Sequence, residues 1–142
     1  MTVFWIALRA LASAISLTNT SGQSCSTKNG ANVVINGMGV PADIERERSG
    51  IETDFKVRAV HSPADMTKPA EIAEMIALGE KTFGSVDILV NNAGIQLRKP
   101  MLELSTAEWH KVLDTNLTSA FVVGREAARR MVGRGRGKII NI

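Results

Sequence analysis

Val86-Asp-Ile-Leu-Val-Asn-Asn-Ala-Gly94 is a short apolar run that passes directly into a polar turn closed by glycine. Five residues (VDILV) are too few for a helix, and their near-continuous apolar character suits a strand covered on both faces. Moving toward the C-terminus, Ser105 and Glu108 form a capping-box pair that predicts a helix start. Behind them Trp109, Val112, Leu113, Leu117, Ala120, Phe121, Gly124, Ala127, Ala128 and Met131 recur at helical spacing, as one wide apolar stripe over 105–132. Gly133–Gly137 ends that helix, and Lys138–Ile142 (KIINI) begins another strand.

Toward the N-terminus the same alternation repeats. A helix is predicted over Lys68–Phe83, with Thr67 as N-cap, Pro69 in the first turn and Ile72, Met75, Ile76 and Phe83 on the buried face. Ser62–Thr67 reads as a loop and Val57–Val60 as a strand. Pro41–Phe55 reads as a charged helix that buries Ile44 and Ile51. Asn32–Asn36 (NVVIN), closed by Gly37 and Gly39, is a further strand and its turn. Short apolar strands alternating with amphipathic helices require parallel strands joined by crossovers. The expected fold is therefore α/β, a doubly wound parallel sheet whose ligand site lies at the carboxyl ends of its strands.

The totals narrow the function. Seventeen basic and fourteen acidic residues leave a net charge of +3, too mild to imply a nucleic-acid partner. Arg129-Arg130 and Arg134-Gly-Arg-Gly-Lys138 lack interleaved aromatics and read as solvated cations at a helix end. A single cysteine, Cys25, excludes an intramolecular disulfide and a cysteine-rich metal site, and fits a cytoplasmic location. His61 and His110 show no ligand spacing, so no metal is expected. The apolar stretch before Leu17 is broken by Arg9 and is too short for a membrane span.

A carboxyl-end site directs attention to Asn36–Gly37, Asp65, Asn91–Gly94 and, on the long helix, Asn116. On these residues the chain resembles the short-chain dehydrogenase/reductase family, whose fold is Rossmann-like. Asp87-Ile-Leu-Val-Asn-Asn-Ala-Gly94 matches the family's strand-four motif, and Asp114-Thr-Asn-Leu117 matches its central-helix asparagine motif, at the family's interval. The resemblance covers about Asn29 to Ile142, giving a divergent segment 1–28 and a partial dinucleotide-binding domain 29–142.

It implies NAD(P)-dependent interconversion of an alcohol and a ketone by hydride transfer. Asn36, Gly37, Asp65, Asn91, Ala93 and Gly94 would hold the cofactor, Asp65 accepting from the adenine amino group and Ala93 and Gly94 admitting a ribose. Asn116 would be the catalytic asparagine, holding a water in a proton relay. Alternatives stand beside each reading: an Asn-Gly type turn for Asn91–Gly94, a solvated loop acid for Asp65, and a helix brace for Asn116. Asn116 lies three and four residues from Leu113, Leu117 and Ala120, so it is expected to face the sheet as a buried amide. Asn36-Gly37-Met38-Gly39 offers no cation for a phosphate, which favours NAD over NADP.

Residues 29–96 resemble D-3-hydroxybutyrate dehydrogenases, in which the residue equivalent to Gln96 contacts the substrate carboxylate. Residues 94–142 resemble gluconate 5-dehydrogenases. Both imply a small hydroxy- or keto-acid, whose charge Arg98 and Lys99 would suit if they are not simply solvated. The resemblance also implies homo-oligomers formed through helix 105–132.

Two departures are evident. Before Asn29 only Gly22 is glycine, so the family's first strand, glycine-rich phosphate turn and first helix are unrecognisable. A frameshift upstream of Asn29 is one expectation; translating the other two frames of the upstream DNA should then reveal a glycine-rich turn. The family's catalytic serine, tyrosine and lysine have no counterparts, and the chain holds no tyrosine at all. The expected chain is incomplete and inactive alone, or a remnant that only associates with related subunits.

Overall fold

The computed structural model describes residues 2–6 and 30–142. The first of these stretches corrects the sequence reading. Thr2–Ile6 (β1) is a strand, so the first strand, unrecognisable from sequence, lies within the segment read as divergent. It pairs in parallel with Asn32–Asn36 (β2) on one side and with Ile88–Asn91 (β4) on the other. Both partners are remote in sequence, so no local pattern could reveal the pairing. The expected glycine-rich turn and first helix, and Cys25, fall outside the described residues.

β2 also pairs with Ala59–Ser62 (β3), and β4 with Lys138–Asn141 (β5), giving one five-stranded parallel sheet in the order β3-β2-β1-β4-β5. The order reverses at β1, as a doubly wound sheet requires. Two strands are displaced from their predicted bounds. β3 begins at Ala59 rather than Val57, because Val33 reaches across to the Arg58 carbonyl and pairing runs on through His61 and Ser62. β4 extends to Asn91, which pairs in register with Ile6 and Asn141.

The helices Pro41–Phe55 (α1) and Pro69–Phe83 (α2) cover opposite faces. Along β2 the side chains alternate. Val33 and Ile35 pack with Ile51 of α1, Val57 and Ala59, while Val34 packs with Ile72, Met75 and Ile76 of α2. Ile44 is only half-buried, so α1 rests mainly on Ile51. The predicted Thr67 N-cap is replaced by Lys68, without a side-chain cap bond, because the Thr67 hydroxyl donates instead to Asp65. Gly84 ends α2 at φ +83°, a left-handed conformation that glycine adopts without steric cost.

The long helix is where the structure departs most. Thr106–Leu113 (α3) and Ser119–Gly133 (α4) are joined by a π-helical turn over Asp114–Thr118. Only the α4 portion enters the core, through Ser119, Val123, Ala127 and Met131 at a strict four-residue interval. Trp109, Leu117 and Phe121, expected on the buried stripe, are instead 50%, 65% and 64% exposed.

Candidate cofactor site

The site begins where the sheet's backbone ladder stops. Register aligns Asn36 with Ile6, Ile6 with Asn91, and Asn91 with Asn141, so three asparagines end their strands on one row. Asn36 is buried, and its Nδ2 donates to the carbonyls of Ser62 at 3.0 Å and Ala64 at 2.9 Å. Asn91 is buried too. Its Nδ2 donates to Asn141 Oδ1 at 2.9 Å and to the Ala120 carbonyl at 3.3 Å. Each amide thus ties its strand end to a neighbour. Carbonyls at a sheet rim no longer have ladder partners, and unsatisfied ones are costly when buried.

Above this row lies a cleft of about 990 Å³. Six of the sequence-selected residues line it: Asn36, Gly37, Asp65, Ala93, Gly94 and Gln96. Asn91 and Asn116 line an adjoining hollow of about 380 Å³ that shares Ala93. The Asp65 carboxylate is locally organised. Its Oδ1 accepts from the Thr67 N–H at 2.9 Å and the Thr67 hydroxyl at 2.7 Å, while Oδ2 lies 3.8 Å from Lys68 Nζ. The backbone N–H of Thr67, then its hydroxyl, hold the Asp65 carboxyl below its ordinary range, so it is a charged acceptor near neutral pH. Glu71 completes the turn by accepting from the Asp65 N–H at 2.8 Å.

Asn116 is placed differently from expectation. It is exposed rather than buried, because it sits inside the π-helical turn and not on a regular α-helical face. Both ends of its amide engage one residue: Oδ1 accepts from the Ile95 N–H at 2.8 Å, and Nδ2 donates to the Ile95 carbonyl at 2.9 Å. This two-point clamp fixes the chain just after Gly94. A Cβ on Gly94 would lie 3.5 Å from Asn116 Oδ1, an ordinary contact, so the glycine keeps the two elements close without being sterically compelled.

Sequence reasoning missed Met38, Met66, Lys111 and Thr115, which also line the cleft. Lys111 and Thr115 are four residues apart on one helical run, a spacing that only a known cleft position makes informative. Asn141 was missed as well, although it ends a strand as Asn36 and Asn91 do. Lys99, considered for the substrate's charge, is committed to an ion pair with Glu108. The Arg98 side chain is exposed and is not among the residues lining this cleft.

A 3-2-1-4-5 parallel sheet with a cleft over its switch point, an acid beside it and a small-residue turn at the end of β4, defines a Rossmann-like, doubly wound class of α/β protein. Residues 24–142 match the short chain dehydrogenase family, and the chain belongs to it. It is 42% identical over 115 residues to the D-beta-hydroxybutyrate dehydrogenase of Rhizobium meliloti (strain 1021), covering 81% of this chain and 45% of that protein. Over 113 residues it is 40% identical to the gluconate 5-dehydrogenase of Gluconobacter oxydans (strain 621H), covering 80% of this chain and 43% of that one. A crystal structure presented as a candidate gluconate dehydrogenase from Agrobacterium tumefaciens superposes with a TM-score of 0.78 at 39% identity, covering 99% of this chain and 52% of the other. The chain thus spans about half the length of the relatives it matches.

Two predictions follow from the clamp and from the cap of α3. Replacing Asn116 by Ala should speed hydrogen exchange of the Ile95 amide by roughly two- to tenfold, the worth of one net hydrogen bond. An unchanged exchange rate would show that the clamp does not form in solution. Glu108 accepts from the Ser105 hydroxyl and N–H at 2.9 and 3.0 Å, beside Lys99. Lys99 first, then Ser105, pull its carboxyl from 4.5 down to about 2. A depressed carboxylate stabilises the fold fully above its unfolded pKa, and that contribution fades as pH falls from there through about 2. NMR titration of the Glu108 carboxyl should give a midpoint near 2, and a midpoint at 4.5 would contradict the arrangement.

Proposed function

We propose that the chain supplies the cofactor cleft and the helix asparagine of an NAD-dependent oxidoreductase acting on a hydroxy- or sugar-acid. The observation that carries this reading is convergence: Gly37, Asp65 and the pair Gly94 and Gln96, chosen from three separate stretches of sequence, line one cleft at the strand ends. Its residues fit a dinucleotide. The cleft is large enough for one, and the ionised Asp65 can accept from an adenine amino group. Gly94 and Ala93 present little bulk to a ribose. Bound NAD would supply the hydride acceptor for alcohol oxidation.

On this reading Asn36 and Asn91 act indirectly, by holding the floor of the cleft, and Gln96 contacts the substrate's carboxylate. Asn116 holds the turn after Gly94 and stands where a proton-relay water would be bound. NAD rather than NADP is supported by the second hollow at the end of β2. Its lining includes Gly37, Met38 and Gly39 and holds no lysine or arginine. No cation there would receive the extra phosphate of NADP. The location proposed is the cytoplasm; among the described residues no helix is long and apolar enough to cross a membrane.

The chain contains no tyrosine, so these 142 residues carry no phenolic acid/base, and we infer no turnover by this polypeptide alone. A second reading, association with related subunits, is favoured by the uncovered apolar residues of the helical run. Trp109, Leu117 and Phe121 all stand half or more exposed, which suits homo-oligomerisation through 105–132.

Because only Gly22 is glycine between Ile6 and Asn29, binding should be no tighter than millimolar, about −4 kcal/mol. NAD titrated to that concentration should shift the amide resonances of Asp65, Gly94 and Gln96 before others. Saturation without movement at those residues would sink the cleft assignment. If the helical run associates, sedimentation should show oligomers that Phe121→Asp converts to monomers; a chain monomeric without the substitution would refute that reading.

A further inference from the structure

We propose that Lys111 is the cleft's anion contact and sets its preference for negatively charged ligands. The inference rests on the cofactor-cleft reading above and adds a determinant that reading does not contain. Two charged side chains, Asp65 and Lys111, line the cleft. The acid is already engaged, with one oxygen taken up by Thr67 and the other 3.8 Å from Lys68.

The neighbouring cations are spoken for as well. Lys99 pairs with Glu108, and Lys68 with Glu71 at 2.8 Å. Lys111 makes no ion pair within 4 Å among the described residues. Its position is fixed nonetheless, since it lies in the last turn of α3, directly before the π-helical turn whose Asn116 is clamped to Ile95. An unpaired ammonium on the wall of a cleft attracts an anionic oxygen, and its own backbone anchor limits how far it can stray. Thr115, four residues on, brings a hydroxyl to the same lining.

The group read by Lys111 is thus a phosphate or a carboxylate oxygen of the bound molecule. The test uses the purified chain at low ionic strength and NMR titration, which tolerates weak binding. The probes are adenosine, ADP and 3-hydroxybutyrate, measured on the unaltered chain, Lys111→Gln and Lys111→Arg. Lys111→Gln should weaken an anionic probe by about threefold, the worth of one exposed charge pair, leave adenosine unchanged, and be rescued by Lys111→Arg. A loss confined to ADP identifies a phosphate contact; a loss confined to 3-hydroxybutyrate identifies a carboxylate contact. Equal affinities of the unaltered chain and Lys111→Gln for both anions would overturn the proposal. So would a parallel loss for adenosine, which would mark a change of shape and not of charge. If the unaltered chain fails to bind even adenosine, the cleft reading itself falls, and the proposal with it.

Discussion

Parallel strands cannot be joined by tight turns, so each crossover carries the chain back over a face of the sheet before the next strand begins. The consequence here is that all strands finish at the same rim, with Asn36, Ile6, Asn91 and Asn141 facing one another in register. Every element of the site hangs from that row. The Asp65 turn follows β3, the Asn91–Gly94 turn follows β4, and the clamp from Asn116 secures the segment leaving β4. Were β4 to slip by one residue against β1, Asn91 would point to the other face, and its bonds to Asn141 and Ala120 would be lost together.

Much of this was legible because the relevant signals are local. Pro41–Phe55 announces itself by a proline start and helical spacing of Ile44 and Ile51, and its bounds agree with the structure. Ser105 and Glu108 form the reciprocal cap that their spacing implies. What stayed hidden was nonlocal. Thr2–Ile6 becomes a strand only through partners some thirty and eighty-five residues away. The engagement of Thr67 by Asp65 competes with helix capping, and propensity alone does not say which partner wins.

The long helix shows a subtler failure of periodic reasoning. A constant spacing of 3.6 residues drawn from Trp109 to Met131 passes straight through Asp114–Thr118, but the chain there is π-helical and takes in one extra residue. That residue rotates everything beyond it by about a hundred degrees relative to α3. Ser119, Val123, Ala127 and Met131 consequently take the core face, and Leu117 and Phe121 are turned outward. Side chains within the turn reinforce it: the Ser119 hydroxyl donates to the Thr115 carbonyl at 2.6 Å, and the Thr118 hydroxyl to Asp114 at 3.3 Å. The same rotation aims the Asn116 amide at Ile95. The π-helical turn thus carries the residue that holds the segment leaving β4.

The choice of asparagine at the strand ends follows from what surrounds it. Asn36 meets two carbonyls, of Ser62 and Ala64, and Asn91 meets a carbonyl and the amide oxygen of Asn141. All four partners are acceptors, so a donor is required at each position. An aspartate of the same length would set a carboxylate against carbonyl dipoles in a buried position, which is among the costlier arrangements available to it. Lysine could donate, but it would carry a charge into the rim and is too long to bridge adjacent strand ends. The neutral amide is left as the group that satisfies both carbonyls without charging the floor of the cleft. A floor without charge, in turn, leaves discrimination among charged ligands to the side chains on its walls.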